Sequence, residues 1–277
     1  MLTGSWQGKI NLIYKHEENK TKIKSIYHQA PFNIQRPFYP EGNSICHSVI
    51  LHTAGGIVGG DVLSQNIHLF PHSQVFITTP AATKIYRTSE KKAFQEIIIN
   101  LENDTYLEYL PQETIVFNQC QYQQKLKVRL EDNAIWLGWE IIRFGRSARG
   151  ETFTEGEWLN YTEIYHKNKP LWIDRQSFWG ESQLFSAING LANKPVVGSL
   201  ILISTNTSNN FNFIDEIREL INSQFNDLIL GVTTLQHGLL CRYHGDSVSE
   251  AKISLTAIWQ LLRQKYGFNP LFKPRIW

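Results

Sequence analysis

Alternation of apolar and polar side chains with a period of two residues dominates positions 6–205 of this 277-residue chain. In residues 6–15 one face carries Ile10 and Leu12 and the other carries Lys9 and Asn11. A half-buried strand has this pattern, because successive side chains point to opposite faces of a sheet. Further strands are predicted at 21–28, 44–53, 61–70, 73–80, 93–102, 106–111, 113–119, 124–131, 134–144, 158–167, 171–179 and 196–205.

Helical periodicity appears only late in the chain. Residues 213–225 place apolar side chains along one stripe, with Asn212 as the expected N-cap. Ser247 and Glu250 form an S-x-x-E capping box before a second stripe, and Gly267 suits the end of that helix. Because no helical stripe interrupts the earlier strands, we expect a mainly-β, antiparallel-rich body with two late α-helices.

Residues 1–277 are expected to form a single domain, and its two helices fall within 205–277. Only residues 205–245, which mix one helix with strands, resemble a second lobe. The sequence has no composition shift and no low-complexity stretch that would mark a linker between domains.

Composition argues against several classes of protein. The net charge is +2, and Lys and Arg do not form a run of five, so nucleic acid is not an expected partner. The N-terminal residues do not read as a signal peptide, and apolar runs stay shorter than a membrane helix requires. The three cysteines, Cys46, Cys120 and Cys241, are too few and too far apart for a disulfide framework. A cytoplasmic protein without a membrane partner is expected.

The segment HTAGGIVGGD at residues 52–61 raises the question of phosphate binding. A P-loop beginning at Gly55 would have its second glycine at Gly60, but Asp61 then stands where the phosphate-binding lysine is required. A dinucleotide-binding fingerprint would open a helix, whereas the following residues predict a strand. The glycines are therefore expected to form tight corners between strands, where the backbone needs positive φ or a close approach.

Several blocks of sequence resemble the urease accessory proteins of the UreD family, which is called UreH in some organisms. The resemblance covers nearly the whole chain. It lies in HTAGGIVGGD (52–61), TTPAATKIYR (78–87), YLPQETIVF (109–117), LGWEIIRFGRSARGETFTEG (137–156), PVVGSLIL (195–202), LLCRYHGDS (239–247) and FKPRIW (272–277). The polar SNNFNF region carries no family signature, and neither do the His and Cys residues around 237–244.

This resemblance implies a maturation scaffold or chaperone that is not an enzyme. Such a protein binds apo-urease and a UreF-type accessory protein, and through the latter it recruits a UreG-type GTPase that carries nickel. The assembly then delivers nickel to the urease active site. The resemblance is also compatible with a homodimer of this chain within the assembly. A β-helix-like fold with two helices is implied as well. No tightly bound cofactor is expected, and nickel would be in transit.

The alternative is a hydrolase or a metal-dependent enzyme on a β scaffold. Neither a G-x-S-x-G elbow nor an H-E-x-x-H motif occurs in the sequence. Glu151, Glu155 and Glu157 cluster among Gly and Thr residues, which is typical of a solvated loop. Activity of the purified chain alone would favour the enzyme over the scaffold.

Two segments supply candidates for partner binding. Arg143, Arg146 and Arg149 fall in RFGRSARG, where they could contact an acidic partner or pair with nearby glutamates in a surface loop. Phe272 and Trp277 lie in a Pro-containing tail that is apolar enough to dock on the β body.

The best local metal-like signal is the H-x3-C-x2-H spacing of His237, Cys241 and His244. Imidazole and thiolate ligands suit nickel or zinc. On a strand, however, His237 and Cys241 share one face and His244 points to the other, so structural histidines and a core cysteine are the favoured interpretation.

The resemblance also predicts polar groups along a nickel path, and Glu140 is the strongest candidate because both strand faces around it are apolar. A buried carboxylate needs a cation, a partner or water, and an ordinary salt bridge to Arg143 or Arg146 is the alternative. Further candidates are Asp61, for which a turn is the alternative, and Glu113, Thr78 and Thr79. Oxygen ligands would hold nickel loosely, as transfer requires.

The aromatic content predicts poor solubility of the isolated chain. Fifteen Phe, 11 Tyr and eight Trp residues are a large number for a protein without an obvious cofactor, and aromatic side chains are enriched at interfaces. We expect the chain alone to aggregate and co-expression with a UreF-type partner to restore solubility, as measured by size-exclusion chromatography. Co-expression with an unrelated protein is the control, and a monodisperse monomer at high concentration would contradict the prediction.

Overall fold

The computed structural model describes residues 5–88, 90–180, 183–206, 213–269, 272–274 and 276–277. Its strands are β1 (Gln7–Glu17), β2 (Lys20–Gln29), β3 (Phe32–Ile34), β4 (Ile45–His52), β5 (Val62–Leu69), β6 (Gln74–Thr78), β7 (Thr83–Ile85), β8 (Ala93–Leu101), β9 (Tyr106–Tyr109), β10 (Thr114–Val116), β11 (Cys120–Leu130), β12 (Ile135–Phe144), β13 (Gly156–His166), β14 (Lys169–Trp179), β15 (Val196–Ser204), β16 (Ile229–Leu235) and β17 (Gly238–Gly245). The helices are α1 (Ile214–Gln224) and α2 (Val248–Lys265), with 3₁₀ turns at Ser147–Arg149 and Gln183–Phe185.

The strands form two sheets that face each other. The first sheet has the order β14-β13-β11-β8-β5-β1-β2. The second has the order β16-β17-β15-β12-β9-β6-β4-β3, and β10 joins it by pairing with β12 and β7. Between β4 and β13 the chain passes back and forth between the sheets, so that successive coils stack on one another as in a β-helix.

Strand direction follows from this winding. The ladders β5–β8, β8–β11 and β11–β13 are parallel, as are β4–β6, β6–β9 and β9–β12. Antiparallel pairs lie towards the flanks, where β1 meets β2, β13 meets β14, and β15 and β16 meet β17. The expected mainly-β, β-helix-like body with two late helices is confirmed. Its antiparallel part is confined to the flanks, because period-two alternation does not record strand direction.

Side-chain alternation divides the interior into two apolar layers. On β12, Trp136 and Ile142 point into the layer between the sheets, whereas Leu137, Trp139 and Ile141 point outward beneath the helices. The second sheet is therefore covered on both faces, by the first sheet and by α1 and α2.

The glycine run forms a corner at which successive coils stack. An added Cβ on Gly59 would lie 2.0 Å from Thr88 Oγ1 and 2.5 Å from the Lys91 carbonyl oxygen, and Gly60 has φ +89°. The adjacent coils are joined by the amide of Thr88, which donates to the Gln119 carbonyl at 2.9 Å. The interpretation of these glycines as corner residues is confirmed.

The ends of α2 follow its sequence signals. Ser247 Oγ accepts a hydrogen bond from the Glu250 amide at 3.2 Å, as in a capping box. Gly267 has φ +76° and donates to the Gln264 carbonyl, while the Phe268 amide donates to the Arg263 carbonyl, as in a Schellman motif. The N-cap expected for the first helix, Asn212, lies outside the described residues.

A buried ionic cluster anchors α2 to the second sheet. The Arg263 guanidinium lies 2.6 Å from a Glu41 carboxylate oxygen and 3.4 Å from one of Glu108, and all three side chains are almost fully buried. Trp259 and Tyr106 donate to the other Glu108 oxygen. Burial raises the pKa of Glu108, and the Arg263 charge opposes that shift.

The segment after α2 folds back on the same region. Phe272 packs edge-on against His47 and Phe76, with ring centroids 4.9 and 6.0 Å away. Trp277 stacks on Trp139 at 4.7 Å, and its indole N–H donates to Thr78 Oγ1 at 3.1 Å. The expectation that the tail packs against the β body is confirmed for these residues.

Removal of residues 268–277 should destabilise the fold. Truncating a buried Phe or Trp to Ala costs about 3–5 kcal/mol, and about 1 kcal/mol moves the Tm of a domain of this size class by ~2–4 °C. We expect the Tm in a thermal melt to fall by about 10 °C or more. Ile253→Ala is the control because that side chain on α2 is 59% exposed. An unchanged Tm after truncation would contradict the prediction.

Candidate functional site: a polar cavity between the sheets

A cavity of about 130 Å³ lies in the layer between the two sheets. One end is formed by the loops around Gly55, Gly56 and Thr79–Lys84, and the other reaches Asp174 and Gln176 on β14. Its position corresponds to a break in the apolar packing, where both sheets turn polar side chains inward.

Strand register arranges these polar side chains in two facing rows. Across the first sheet, neighbouring strands align Gln95, Gln124, Asn160 and Gln176. Across the second sheet they align Glu140, Ser199 and Arg242. Side chains at aligned positions of adjacent strands lie on the same face of a sheet, so each row runs across the cavity wall.

Glu140 is held by amides. Gln124 Nε2 donates to Glu140 Oε1 at 2.7 Å, and Asn160 Nδ2 donates to the other carboxylate oxygen. Burial is the largest cause that raises the pKa of Glu140, to about 7, although these two hydrogen bonds oppose it. The salt bridge considered from the sequence does not form, because Arg143 donates to the Asp246 carbonyl and Arg146 pairs with Glu151.

His52 lies at the end of the cavity near the glycine corner. Its Nδ1 is 3.2 Å from the Ala54 carbonyl oxygen, which can only accept a hydrogen bond, so Nδ1 carries the hydrogen. Nε2 is then a lone-pair acceptor, and it is buried without a hydrogen-bond partner. Burial lowers the pKa of His52, which favours the neutral ring.

Among the other nickel-path candidates, only Thr79 lines the cavity, and its Oγ1 accepts a hydrogen bond from the Gln112 amide at 2.9 Å. Thr78 is buried and bonded to Trp277. Glu113 lies 3.7 Å from Lys252, beside the cavity-lining residue Gln112.

Asp61 occupies the glycine corner rather than the cavity wall. Its two carboxylate oxygens accept hydrogen bonds from the amides of Trp6 and Val58, at 2.8 and 2.9 Å. Asp61 therefore closes a turn that begins at Val58, whose carbonyl also accepts a hydrogen bond from the Asp61 amide at 3.1 Å. An Asx turn, in which the side chain accepts from an amide two residues later, was the alternative for Asp61, and these bonds differ from it. The nickel role of Asp61, like those of Glu140, Glu113, Thr78 and Thr79, stays a prediction.

The partner-binding candidates lie in two different settings. Arg146 pairs with Glu151 and stacks over Phe117, while Arg149 is exposed in the adjoining 3₁₀ turn. Phe272 and Trp277 are partly buried in contacts within the chain. Their roles in partner binding stay predictions.

The structure does not bring the H-x3-C-x2-H residues together. Cys241 is buried beneath the helices, whereas His244 points to the opposite face of β17 and His237 lies in the turn before that strand. Over the described ranges, no three His, Cys, Asp or Glu side chains are placed to hold a metal ion together.

Several cavity residues were missed in the sequence. Gln95, Gln124 and Asn160 share strand parity with buried or half-buried apolar residues such as Ile97, Leu126 and Ile164, so the period of two was a signal that could have placed them on the interior face. The inward position of Arg242 could not be predicted in this way, because both faces of β17 carry apolar side chains and only the pairing of the strands distinguishes them.

In the part of the chain that the structure describes, no helix is both long and apolar enough to cross a membrane.

Comparison with known proteins identifies the family. The fold defines a two-sheet, β-helix-like protein with an internal polar cavity. A family model described as UreD urease accessory protein matches residues 7–277, and the chain belongs to this family.

The relatives agree with this assignment. The urease accessory protein UreD of Nostoc punctiforme is 49% identical over 272 residues, which cover 98% of this chain and 96% of that protein. The protein of the same name from Trichormus variabilis is 50% identical with the same coverage. The one from Synechocystis is 36% identical over 258 residues, 93% of this chain and 95% of that protein. Since these relatives are named as accessory proteins, they support the prediction that the chain is not an enzyme.

Replacing Glu140 should change the pH dependence of stability. The pKa is raised from 4.5 to about 7 in the fold, so between these values folding takes up a proton and stability falls as pH rises. This loss amounts to about 3 kcal/mol above pH 7 and is absent in Glu140→Gln. We therefore expect urea unfolding to show that the variant gains stability relative to the wild type between pH 5 and pH 8. Parallel pH profiles for the two proteins would contradict the prediction.

Proposed function

We propose that this protein is a urease maturation scaffold that binds apo-urease and a UreF-type accessory protein, and through the latter recruits a UreG-type GTPase. Membership of the UreD urease accessory protein family supports this role. Three free, buried cysteines suit work in a reducing cytoplasm.

We further propose that nickel in transit passes through the cavity between the sheets. The observation that supports this is the carboxylate of Glu140, which lines the cavity and faces a row of neutral amides. Carboxylate and amide oxygens bind nickel more weakly than imidazole or thiolate ligands do, so a cation would be passed on rather than stored. With a pKa near neutrality, Glu140 can release its proton to water when a cation binds to the carboxylate, at little cost in free energy near pH 7.

The scaffold role is tested by deleting the gene in cells that express urease and the remaining accessory proteins. Urease activity and urease nickel content should both fall severalfold, and the wild-type gene should restore them. Normal nickel content without the gene would contradict the proposed function.

The nickel path is tested in the same cells with Glu140→Ala and Glu140→Gln. We expect both variants to lower urease nickel content severalfold, because neither supplies a carboxylate, while the accessory complex still assembles in a pull-down assay. Glu96→Gln is the matched control, since Glu96 is exposed on the outer face of the first sheet beside Gln95. Normal nickel content in both Glu140 variants would contradict the path, and loss of the complex would assign Glu140 a structural role.

A further inference from the structure

An ion pair lies at the end of the cavity that reaches β14. Asp174 lines the cavity from β14, the edge strand of the first sheet, and pairs with Arg242 on β17 of the second sheet. The Asp174 side chain is 18% exposed and that of Arg242 is 37% exposed, so the pair lies between interior and solvent. Gln176 Nε2 also donates to the Asp174 carboxylate, at 2.8 Å.

The pair is linked to the interior through Glu140. Arg242, Ser199 and Glu140 occupy aligned positions on three neighbouring strands, which places the pair about 10 Å from Glu140 across the sheet. The Asp174 charge raises the pKa of Glu140 and the Arg242 charge lowers it. A metal cation bound near Asp174 would therefore also lower the pKa of Glu140.

The outer side of Arg242 is left open by a glycine. Gly231 on the edge strand β16 is aligned with Arg242, so both face the same side of the sheet. A Cβ added at Gly231 would meet no described atom within 4 Å. The Arg242 guanidinium therefore has room to move away from Asp174 without displacing a neighbouring side chain.

We propose that the Asp174–Arg242 pair is a gate at this end of the cavity, at which a divalent cation competes with the Arg242 guanidinium for the Asp174 carboxylate. With the pair closed, the positive guanidinium repels a cation in the cavity. When the cation takes Asp174, Arg242 swings into the space beside Gly231. This inference rests on the proposed passage of nickel through the cavity.

Binding of Ni²⁺ alone separates a gate from a structural tie between the sheets. In equilibrium dialysis with the full chain kept soluble as a fusion, Arg242→Gln should raise Ni²⁺ affinity at least about threefold, because it frees Asp174. Asp174→Asn should lower the affinity. Arg175→Gln is the matched control, because Arg175 lies beside Asp174 on β14 and its side chain is 69% exposed. A shift in the same direction for both pair variants, or no shift, would overturn the gate.

Gly231→Leu tests the space on the outer side. The open surroundings of Gly231 predict a folded variant with unchanged Tm and an unbroken ion pair. We expect urease in cells to acquire nickel at least about threefold more slowly, since the guanidinium has less room to move. An unchanged rate would overturn this part of the proposal. If gene deletion lowers urease nickel content but the pair and Gly231 variants behave as wild type, the gate fails while the proposed function stands.

Discussion

The buried guanidinium of Arg263 joins parts of the chain that are far apart in sequence. It brings together α2, Glu41 ahead of β4, and Glu108 on β9. Two carboxylates in an apolar layer would each be strongly destabilising without a positive charge beside them. Their common partner fixes the helix on the second sheet, and the helix in turn covers the outer face of β12. Glu140, which has the opposite parity on β12, can then face only the cavity.

The polar seam between the sheets interrupts what would otherwise be continuous apolar packing. Its amides are partly satisfied by one another and by Glu140, and tyrosine hydroxyls complete the network: Tyr122 donates to Gln95 and Tyr109 donates to Gln65. Such a seam stabilises a fold less well than aliphatic side chains of similar volume. The presence of this seam in a protein with an extensive core suits a functional use of the interior surface. Its weak donor set fits the proposed passage of nickel better than the storage of nickel.

The sequence predicted most strands and both helices because these depend on local patterns. Alternation in β1 and the stripe and caps of α2 are each readable within one segment. The short strands β3 and β7 were not predicted, because three residues are too few to show an alternation of apolar and polar side chains. The parallel pairing of the central strands was not predicted, because it depends on how the chain crosses from one sheet to the other. Of the cavity residues, the sequence predicted Thr79 and Glu140, and the apolar flanks of Glu140 are unusual for a carboxylate. Gln124 shares parity with Tyr122 and Leu126, which was an unused sign of its interior position. Asp174 lies on a strand with apolar side chains on both faces, so only its pairing with β13 places it inside.

The late position of α2 has a consequence for how the chain folds during synthesis. Arg263 and Glu41 are 222 positions apart, and Trp277 meets Thr78 across 199 positions. Contacts of such long range form slowly and only after both partners have left the ribosome. Until then the outer face of the second sheet, with Leu137, Trp139 and Ile141, stays uncovered on a growing chain. This apolar surface is therefore exposed while roughly the second half of the chain is translated, which is a period of risk for aggregation.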